Sequence, residues 1–371
     1  MFIIDAHLDL SMNALEWNRD LKQPVTALRE REKGMTDKLD RGKGMVSLPE
    51  LRRGKIGLVV ATMIARFVDI NSTLPGWHSP EQAWAQTQGQ RAWYKAMEDS
   101  GEMIQITNAG GLKKHIHLWN DAAIPDHTKP VGYILSLEGA DSLVNLSYLE
   151  KSYQYGLRAL GPAHYGPGRY SPGTGMEGPL TKAGVELVNE MDKLNMILDV
   201  THLTDEAFLQ VIDLYKGPVW ASHHNCRTLV PYQRQLTDEQ IKILIERNAV
   251  IGGVLDAWML KPGWVRGKND PKTENITLDI LIDHYDHICQ IAGNSKHIAI
   301  GSDLDGMFGQ EQSPYDMDTI ADLQLLKGLL SKRGYTQQDI ENIFHKNWLR
   351  FLQKAWGTII GDLKCQVSAV S

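Results

Sequence analysis

Residues 196–224 read MILDVTHLTDEAFLQVIDLYKGPVWASHH and carry the repeating unit of this chain. Two short apolar runs, Met196–Val200 and Pro218–Ser222, have the continuous hydrophobic character of parallel strands buried on both faces. Between them, Thr204 precedes apolar residues at helical spacing, and Gly217 closes the helical segment. The stretch therefore predicts a strand, a helix and a second strand parallel to the first.

The same alternation extends in both directions along the chain. Short apolar runs predict eight strands, at Phe2–Asp5, Gly57–Ile64, Gly132–Leu137, Gly156–Leu160, Met196–Val200, Pro218–Ser222, Ala249–Val254 and His297–Gly301. A ninth run, Met103–Thr107, is interpreted as an extra segment outside this series. Helices are predicted in the gaps, where Thr237 with Gln240 and Thr336 with Asp339 fit capping boxes.

Eight strand–helix repeats favour a closed (β/α)8 TIM barrel. The rival is a doubly wound sheet, which usually has a Gly-rich phosphate turn, but the first strand here runs into His7-Leu8-Asp9. The 371 residues exceed the roughly 250–300 at which single cores stop growing, although α/β barrels are the main exception. We expect one barrel over residues 1–356, a tail at 357–371, and insertions at about 18–47, 165–176 and 258–275.

Composition narrows the functional class. A net charge of −6 argues against a nucleic-acid surface. The 3 cysteines are far apart and form neither a disulfide framework nor a thiolate zinc site, whereas 13 histidines could supply imidazole ligands. The first residues lack the features of a signal peptide, and no run of about 18 apolar residues predicts a membrane span. We therefore expect a soluble cytoplasmic protein.

Ionisable residues follow the predicted strands at the point where each strand ends. Six of the eight strand ends carry them: His7 with Asp9, Glu138, His164, His202, His223 with His224, and Asp303. In a barrel, the reactive groups lie at this C-terminal edge. Because ionisable groups beside buried strands are unfavourable unless they are paired or metal-bound, their repetition predicts a metal site.

The ends of the first and third strands offer a nitrogen ligand and oxygen ligands. His7 and Asp9 are two residues apart, so an extended backbone points both to one side, where they can hold one metal ion. Taken alone, a turn histidine followed by a helix-capping aspartate is the more common alternative. Glu138 has two oxygens that could bridge two cations, and its alternative is an acid in the first turn of a helix.

The later strand ends offer further ligands and a proton acceptor. His202 and His223 supply two neutral imidazoles, which suit zinc, although either alone would more often be a hydrogen-bonded core histidine. Neighbours on a strand point opposite ways, so we favour His223 as a ligand and His224 as structural. Asp303 could take a proton from a metal-bound water, or simply form a turn. Arg234 could clamp a carboxylate, or be solvated.

Five motifs occur in one order: DAHLD at 5–9, SLEG at 136–139, DVTH at 199–202, SH at 222–223 and GSDLDG at 301–306. This pattern resembles the membrane dipeptidase (renal dipeptidase) family, the M19-type metallopeptidase branch of the amidohydrolase superfamily. The resemblance extends to about Trp356 and includes SLPEL at 47–51 and NWLR at 347–350. It implies a metal-dependent barrel of the amidohydrolase type and a zinc-dependent dipeptidase of class EC 3.4.13.-.

The resemblance also implies a metal centre of two Zn²⁺ ions per subunit. His7 and Asp9 would bind one zinc ion, and His202 and His223 would bind the other. Glu138 would bridge the two ions and thereby belong to the catalytic centre.

Substrate handling is implied in the same way. His164 matches a histidine near the scissile carbonyl, Arg234 matches an arginine that binds the substrate's C-terminal carboxylate, and Asp303 matches a proton-shuttling aspartate. The implied substrate is a small dipeptide, with L,D-dipeptides included, and neither nucleic acid nor a membrane is an expected partner. Family members are often dimers, so a homodimer is a further expectation.

Several positions depart from the family pattern. Ala163 precedes His164 where the family usually has threonine, and His224 and Leu304 stand where serine and phenylalanine are common. The loop at 165–176 is unusually rich in glycine and proline. These departures bear on substrate preference, so hydrolysis of another small amide, an N-acyl amino acid or a lactam, is the alternative. A non-catalytic metal- or peptide-binding barrel is the alternative from another class.

Overall fold

The computed structural model describes residues 1–357. Of the tail expected at 357–371, Gly357 is the last residue of a helix, and the rest lies outside the described residues. Within the described range, nine strands form one parallel sheet: β1 Ile3–Leu8, β2 Ile56–Ile64, β3 Met103–Gln105, β4 Val131–Glu138, β5 Leu157–Gly161, β6 Ile197–Asp199, β7 Val219–Trp220, β8 Ile251–Gly253 and β9 Ile298–Ile300. Their spatial order is β7-β6-β5-β4-β2-β1-β9-β8, and β3 pairs only with β4 outside this path.

Helices occupy the connections between the strands. They are α1 Leu10–Glu16, α2 Val25–Arg31, α3 Leu48–Arg53, α4 Pro80–Asp99, α5 Ala109–Asn120, α6 Ser147–Gln154, α7 Lys182–Lys193, α8 Asp205–Leu214, α9 Asp238–Glu246, α10 Ala257–Leu260, α11 Leu278–Ala292, α12 Leu326–Lys332, α13 Gln337–Glu341 and α14 Asn347–Gly357. Both predicted capping boxes are confirmed. The side chains of Thr237 and Thr336 accept hydrogen bonds from the backbone N–H groups of Gln240 and Asp339, whose side chains accept the backbone N–H groups of the two threonines.

The two ends of the strand series meet, which closes the sheet into a barrel. Ala221, directly after β7, bridges Ile251 of β8 in parallel. The Ala221 N–H donates to the Val250 carbonyl at 3.1 Å, and the Gly252 N–H donates to the Ala221 carbonyl at 2.9 Å. The predicted (β/α)8 barrel is therefore confirmed over the doubly wound alternative, and the run from Met103 is the extra segment that was expected.

Several strand boundaries differ from the predicted ones. The first strand does not stop at Asp5 but continues to Leu8, since Leu8 still pairs with Ala61 of β2. Strand β6 is shorter than predicted because the chain turns after Asp199. An oxygen of the Asp199 side chain accepts the backbone N–H groups of Thr201 at 3.0 Å and Ser222 at 3.1 Å. Side-chain hydrogen bonds thus replace the sheet ladder where the site begins.

Helix α14 lies at the N-terminal edge of the barrel, away from these turns. Asn347 donates from Nδ2 to the carbonyl of Ile298 at the start of β9, at 2.8 Å. Trp348 and Phe351 pack on Trp220 of β7, with ring centroids 5.6 Å apart in each case. With this edge covered by the last helix, the C-terminal edge is left to the long connections.

The segment at 18–47 is fixed to the C-terminal edge by a buried arginine. Arg19 is 2% exposed and donates to Glu32 from Nε at 2.8 Å and to Asp40 from Nη2 at 3.1 Å. Its Nη1 lies 3.7 Å from Asp305, which also accepts the backbone N–H of Met45 at 2.8 Å. Because Asp305 is two residues beyond Asp303, this network ties the segment to the site.

We expect Arg19→Met to lower the free energy of unfolding by about 3–5 kcal/mol, since it leaves buried carboxylates without their cation. Urea unfolding followed by circular dichroism measures the change. Arg31→Met, at an exposed position of α2, is the matched control and should shift stability by less than about 0.5 kcal/mol. A loss below about 1 kcal/mol for Arg19→Met would contradict a stabilising role for this network.

Candidate active site

The residues singled out from the sequence come together at the C-terminal edge of the barrel. A cavity of about 510 Å³ opens there. Seven of the eight predicted site residues line it: Asp9, Glu138, His164, His202, His223, Arg234 and Asp303. The eighth, His7, belongs to β1 and contacts several of them from a buried position. The strand-end rule therefore locates one common site.

Glu138 lies at the centre of the histidines. Its Oε1 is 3.1 Å from His202 Nε2 and 3.5 Å from His223 Nε2. Its Oε2 is 3.6 Å from His7 Nε2 and 3.9 Å from His164 Nε2. Burial raises the pKa of this carboxyl, but the surrounding histidines lower it by more, so that the pKa lies well below its ordinary value. Each oxygen of one carboxylate thus faces its own group of imidazoles.

Two further carboxylates approach His7. Asp303 Oδ1 lies 3.8 Å and Asp9 Oδ2 lies 3.9 Å from His7 Nε2. Three triads keep their ligand atoms within 4.8 Å of one another: His7 with Asp9 and Glu138, His7 with His223 and Asp303, and Glu138 with His164 and His202. Burial raises the pKa of Asp303 well above its ordinary value. Such overlapping triads are suited to hold more than one cation.

The partners behind the imidazoles divide the histidines into two kinds. His202 Nδ1 lies 2.8 Å from the Thr174 hydroxyl, and His223 Nδ1 lies 2.9 Å from the Ser222 hydroxyl. A hydroxyl can accept Nδ1–H, which leaves the Nε2 lone pair free for a metal. His164 Nδ1 instead lies 2.6 Å from an N–H of Arg66, a group that only donates. His202 and His223 can therefore present Nε2 to a metal, whereas His164 has a partner that favours a different protonation of its ring.

The Gly/Pro-rich loop at 165–176 supplies one of these partners. Its Thr174 N–H donates to the His164 carbonyl at 2.8 Å, which folds the loop back over the end of β5. A side chain at Gly173 would place its Cβ 1.9 Å from the His164 carbonyl oxygen, so only glycine fits this close approach. Glycine at 173 is therefore required by the close approach that brings Thr174 to His202.

His223 and His224 have different surroundings. His223 lines the cavity and contacts Glu138. His224 is buried, donates from its backbone N–H to Gly252 of β8 at 2.7 Å, and its ring hydrogen-bonds the backbone of Arg234. This placement gives His224 a supporting position beside the Arg234 segment.

Arg234 is a buried guanidinium aimed into the cavity. It is 4% exposed, and its Nη2 donates to the His223 carbonyl at 3.0 Å. Its Nε and Nη1 are buried, and neither has a hydrogen-bond partner within residues 1–357. Two unpaired donors on a buried cation are unfavourable unless an anion satisfies them. The position therefore suits a carboxylate ligand.

Sequence reasoning missed several polar residues of this site, Asp256 and Arg66 among them, and an aromatic wall. Asp256 follows β8, lines the cavity, and accepts the Trp258 indole N–H at 2.8 Å, and burial raises its pKa to about 7. Arg66 follows β2 and contacts His164. Both lie two residues beyond a predicted strand end, so a slightly wider search at those ends would have found them. Trp258 and Trp264 form part of the cavity wall.

The barrel and its ionisable cavity are features of metal-dependent hydrolases. A profile of the membrane dipeptidase family (peptidase family M19) matches residues 1–358, and the chain belongs to that family of metallopeptidases. It is a dipeptidase-family hydrolase, as the sequence motifs indicated.

Named relatives and solved structures are also similar to this chain. An uncharacterised dipeptidase of Schizosaccharomyces pombe is 24% identical over 324 residues, which are 83% of this chain and 72% of that protein. The crystal structure of dipeptidase AC, an M19 metallopeptidase, has a TM-score of 0.77 at 23% identity and covers 96% of this chain and 99% of its own. A Rhodobacter sphaeroides metallopeptidase, solved with a phosphinate mimic of the dipeptide L-Ala-D-Ala, has a TM-score of 0.73 at 22% identity and the same coverages. Both structures share the barrel fold.

The length and the hydropathy of the helices decide whether any of them could cross a bilayer. Across residues 1–357, none combines the length and the apolar character needed to span a membrane.

Proposed function

We propose that this protein is a binuclear zinc dipeptidase that hydrolyses the peptide bond of dipeptides, L,D-dipeptides included. The observation that carries the proposal is the position of Glu138, with His202 and His223 at one carboxylate oxygen and His7 at the other. The mimic of L-Ala-D-Ala bound by the Rhodobacter sphaeroides metallopeptidase supports a D-residue at the substrate's C-terminal end.

The donor set fits two zinc ions. His7 Nε2 is buried, and no hydrogen-bond partner satisfies it within residues 1–357, as expected of a nitrogen reserved for a metal. Imidazole nitrogens and carboxylate oxygens are ligands that zinc accepts. We assign His7 and Asp9 to one ion, His202 and His223 to the other, and Glu138 to both. When bound, two zinc ions supply a water of lowered pKa and polarise the scissile carbonyl.

The remaining residues handle the substrate. Arg234 binds its terminal carboxylate with the two unpaired donors, which restricts the substrate to short chains. Asp303 accepts the proton of the attacking water and delivers it to the leaving amine. His164 donates to the oxyanion that develops on the carbonyl oxygen, an interaction typically worth about 3 kcal/mol in the transition state.

Metal analysis coupled to a substrate panel tests the proposal. We expect two zinc ions per chain and faster hydrolysis of L,L- and L,D-dipeptides than of N-acyl amino acids or lactams. Preference for the latter substrates would assign the alternative small-amide activity to the same site. Full zinc loading without hydrolysis of any of them would favour the non-catalytic barrel.

Arg234→Met should raise KM for dipeptides by roughly 10–100-fold, because hydrogen bonds to a charged group contribute about 1.5–3 kcal/mol. The expected change in KM is much smaller for dipeptide methyl esters, which lack the carboxylate. Arg227→Met is the matched control, since Arg227 lies in the same segment but pairs with Asp205 at 2.7 Å. Equal effects on acids and esters would refute the carboxylate clamp.

A further inference from the structure

Arg66 is a guanidinium whose closest side-chain partner is an imidazole. It lies two residues after β2, and its Nη2 is 2.6 Å from His164 Nδ1. Its Nη1 donates to the Pro75 carbonyl at 2.8 Å. Within residues 1–357, Arg66 forms no ion pair within 4.0 Å, and the carboxylates of Asp141 and Glu138 act on it only from a longer distance. The contact with His164 therefore needs an explanation of its own.

The chemistry of the two groups fixes where the protons are. A guanidinium carries only donors, so His164 Nδ1 must accept the hydrogen bond with its lone pair. A neutral imidazole with a free lone pair on Nδ1 carries its hydrogen on Nε2. That nitrogen cannot bind a metal ion through a lone pair, but it can donate a hydrogen bond.

The neighbouring histidines have the opposite arrangement. The hydroxyls of Thr174 and Ser222 lie behind His202 and His223, and each can accept Nδ1–H. Their Nε2 atoms are then available to a metal. His164 would otherwise compete for the same cation, because its Nε2 lies 3.9 Å from Glu138 Oε2 and the residue forms a triad with Glu138 and His202 whose ligand atoms lie within 4.8 Å of one another.

We propose that Arg66 is a positioning residue, which holds His164 in the tautomer with hydrogen on Nε2 and so makes it an oxyanion donor rather than a metal ligand. The catalytic effect of Arg66 in this inference rests on the proposed function. The tautomer itself follows from the contact alone. Arg66 is not among the residues that line the cavity, so it acts through the ring of His164, which is.

Kinetics of Arg66 variants test the catalytic consequence. Arg66→Met removes every donor, and we expect kcat to fall by roughly 10–100-fold with KM changed less than about threefold. Arg66→Lys keeps a donor-only cation and should recover most of the lost kcat. The control is Arg158→Met, because Arg158 also donates to backbone carbonyls but lies at the far end of β5. A kcat for Arg66→Met equal to that of the control would overturn the proposal.

Nitrogen-15 NMR of the zinc-loaded protein tests the tautomer without any turnover. We expect the His164 imidazole, assigned by the loss of its signals in His164→Gln, to have a protonated Nε2 and an unprotonated Nδ1. Arg66→Met should abolish this signature, while Arg158→Met should keep it. A protonated Nδ1 on His164 in the unmodified protein would refute the inference. Because the spectrum needs no substrate, it gives its answer even if the dipeptide panel fails.

Discussion

Replacing Asp303 with Asn is expected to lower kcat by about 10²–10⁴-fold while the protein keeps its full complement of metal. Asn preserves the shape of the side chain but cannot accept a proton from water and pass it on. Glycine at position 306 leaves room for the Asp303 side chain, since a Cβ there would lie 2.0 Å from Asp303 Oδ1. The variant should therefore fold around an unchanged cavity.

Metal content separates two roles for Asp303. Its carboxylate also forms a triad with ligand atoms of His7 and His223, so binding a metal ion is the competing role. Proton transfer predicts two ions per chain in Asp303→Asn, whereas a ligand role predicts fewer. Asp213→Asn, at an exposed position on α8, is the control for a charge change far from the site. Unchanged turnover in Asp303→Asn would eliminate the proton-transfer role.

The burial of Asp303 also has a consequence for stability. Its folded-state pKa is raised, so the folded metal-free protein binds more protons than the unfolded chain above the ordinary pKa of about 4. The free energy of unfolding of the metal-free protein therefore decreases as pH rises from that value through the raised pKa. Asp303→Asn should remove this contribution and stabilise the metal-free protein at neutral pH.

Replacing Glu138 with Gln should have the largest effect on the metal centre, with at least one ion lost per chain and kcat/KM lower by at least roughly 10³-fold. The amide is neutral and has one acceptor oxygen, so it cannot face both imidazole groups as a carboxylate does. Zinc titration followed by calorimetry gives the number of ions and their affinities. Glu150→Gln, at an exposed position of α6, is the matched control.

Two tight zinc sites remaining in Glu138→Gln would contradict the bridging assignment. Loss of one ion with the other retained would identify which ligand pair depends more on the shared carboxylate. Combining Glu138→Gln with His202→Gln then asks whether the two changes act on the same ion, since independent sites would give additive losses of affinity.

Much of the site could be predicted from strand ends because parallel strands bring their C-terminal residues to one edge. The rule found the metal-ligand candidates at β1, β4, β6 and β7, since ionisable side chains there interrupt apolar runs. It missed Arg66 and Asp256, at the two strand ends where no charged residue follows directly. It also could not foresee Thr174, because only the folded loop brings this hydroxyl to His202, 28 residues away in sequence.

The hydrogen-bond partner of each histidine could not be predicted from the sequence either. His164 and His202 follow the ends of neighbouring strands, and the sequence alone does not distinguish one histidine from the other. What separates them is whether a donor-only group or a hydroxyl lies behind the ring, and this depends on tertiary contacts with Arg66 and Thr174. The predicted boundaries of β1 and β6 were wrong for a comparable reason. Backbone pairing with β2 sets the end of β1, and hydrogen bonds to the Asp199 side chain set the end of β6.

The barrel is closed unevenly around its circumference. Strands β2 and β4 pair in register from Leu58 and Gly132 to Ile64 and Glu138, whereas β1 and β9 share one registered pair, Asp5 with Ile300. The proposed metal centre draws its ligands from β1, β4, β6 and β7, and so would link the strands on either side of the arc of β8 and β9, which is attached to β1 by that one pair and to the end of β7 by the single bridge from Ala221 to Ile251. Chelation should therefore speed hydrogen exchange at the amides of that arc before it reaches β2 and β4.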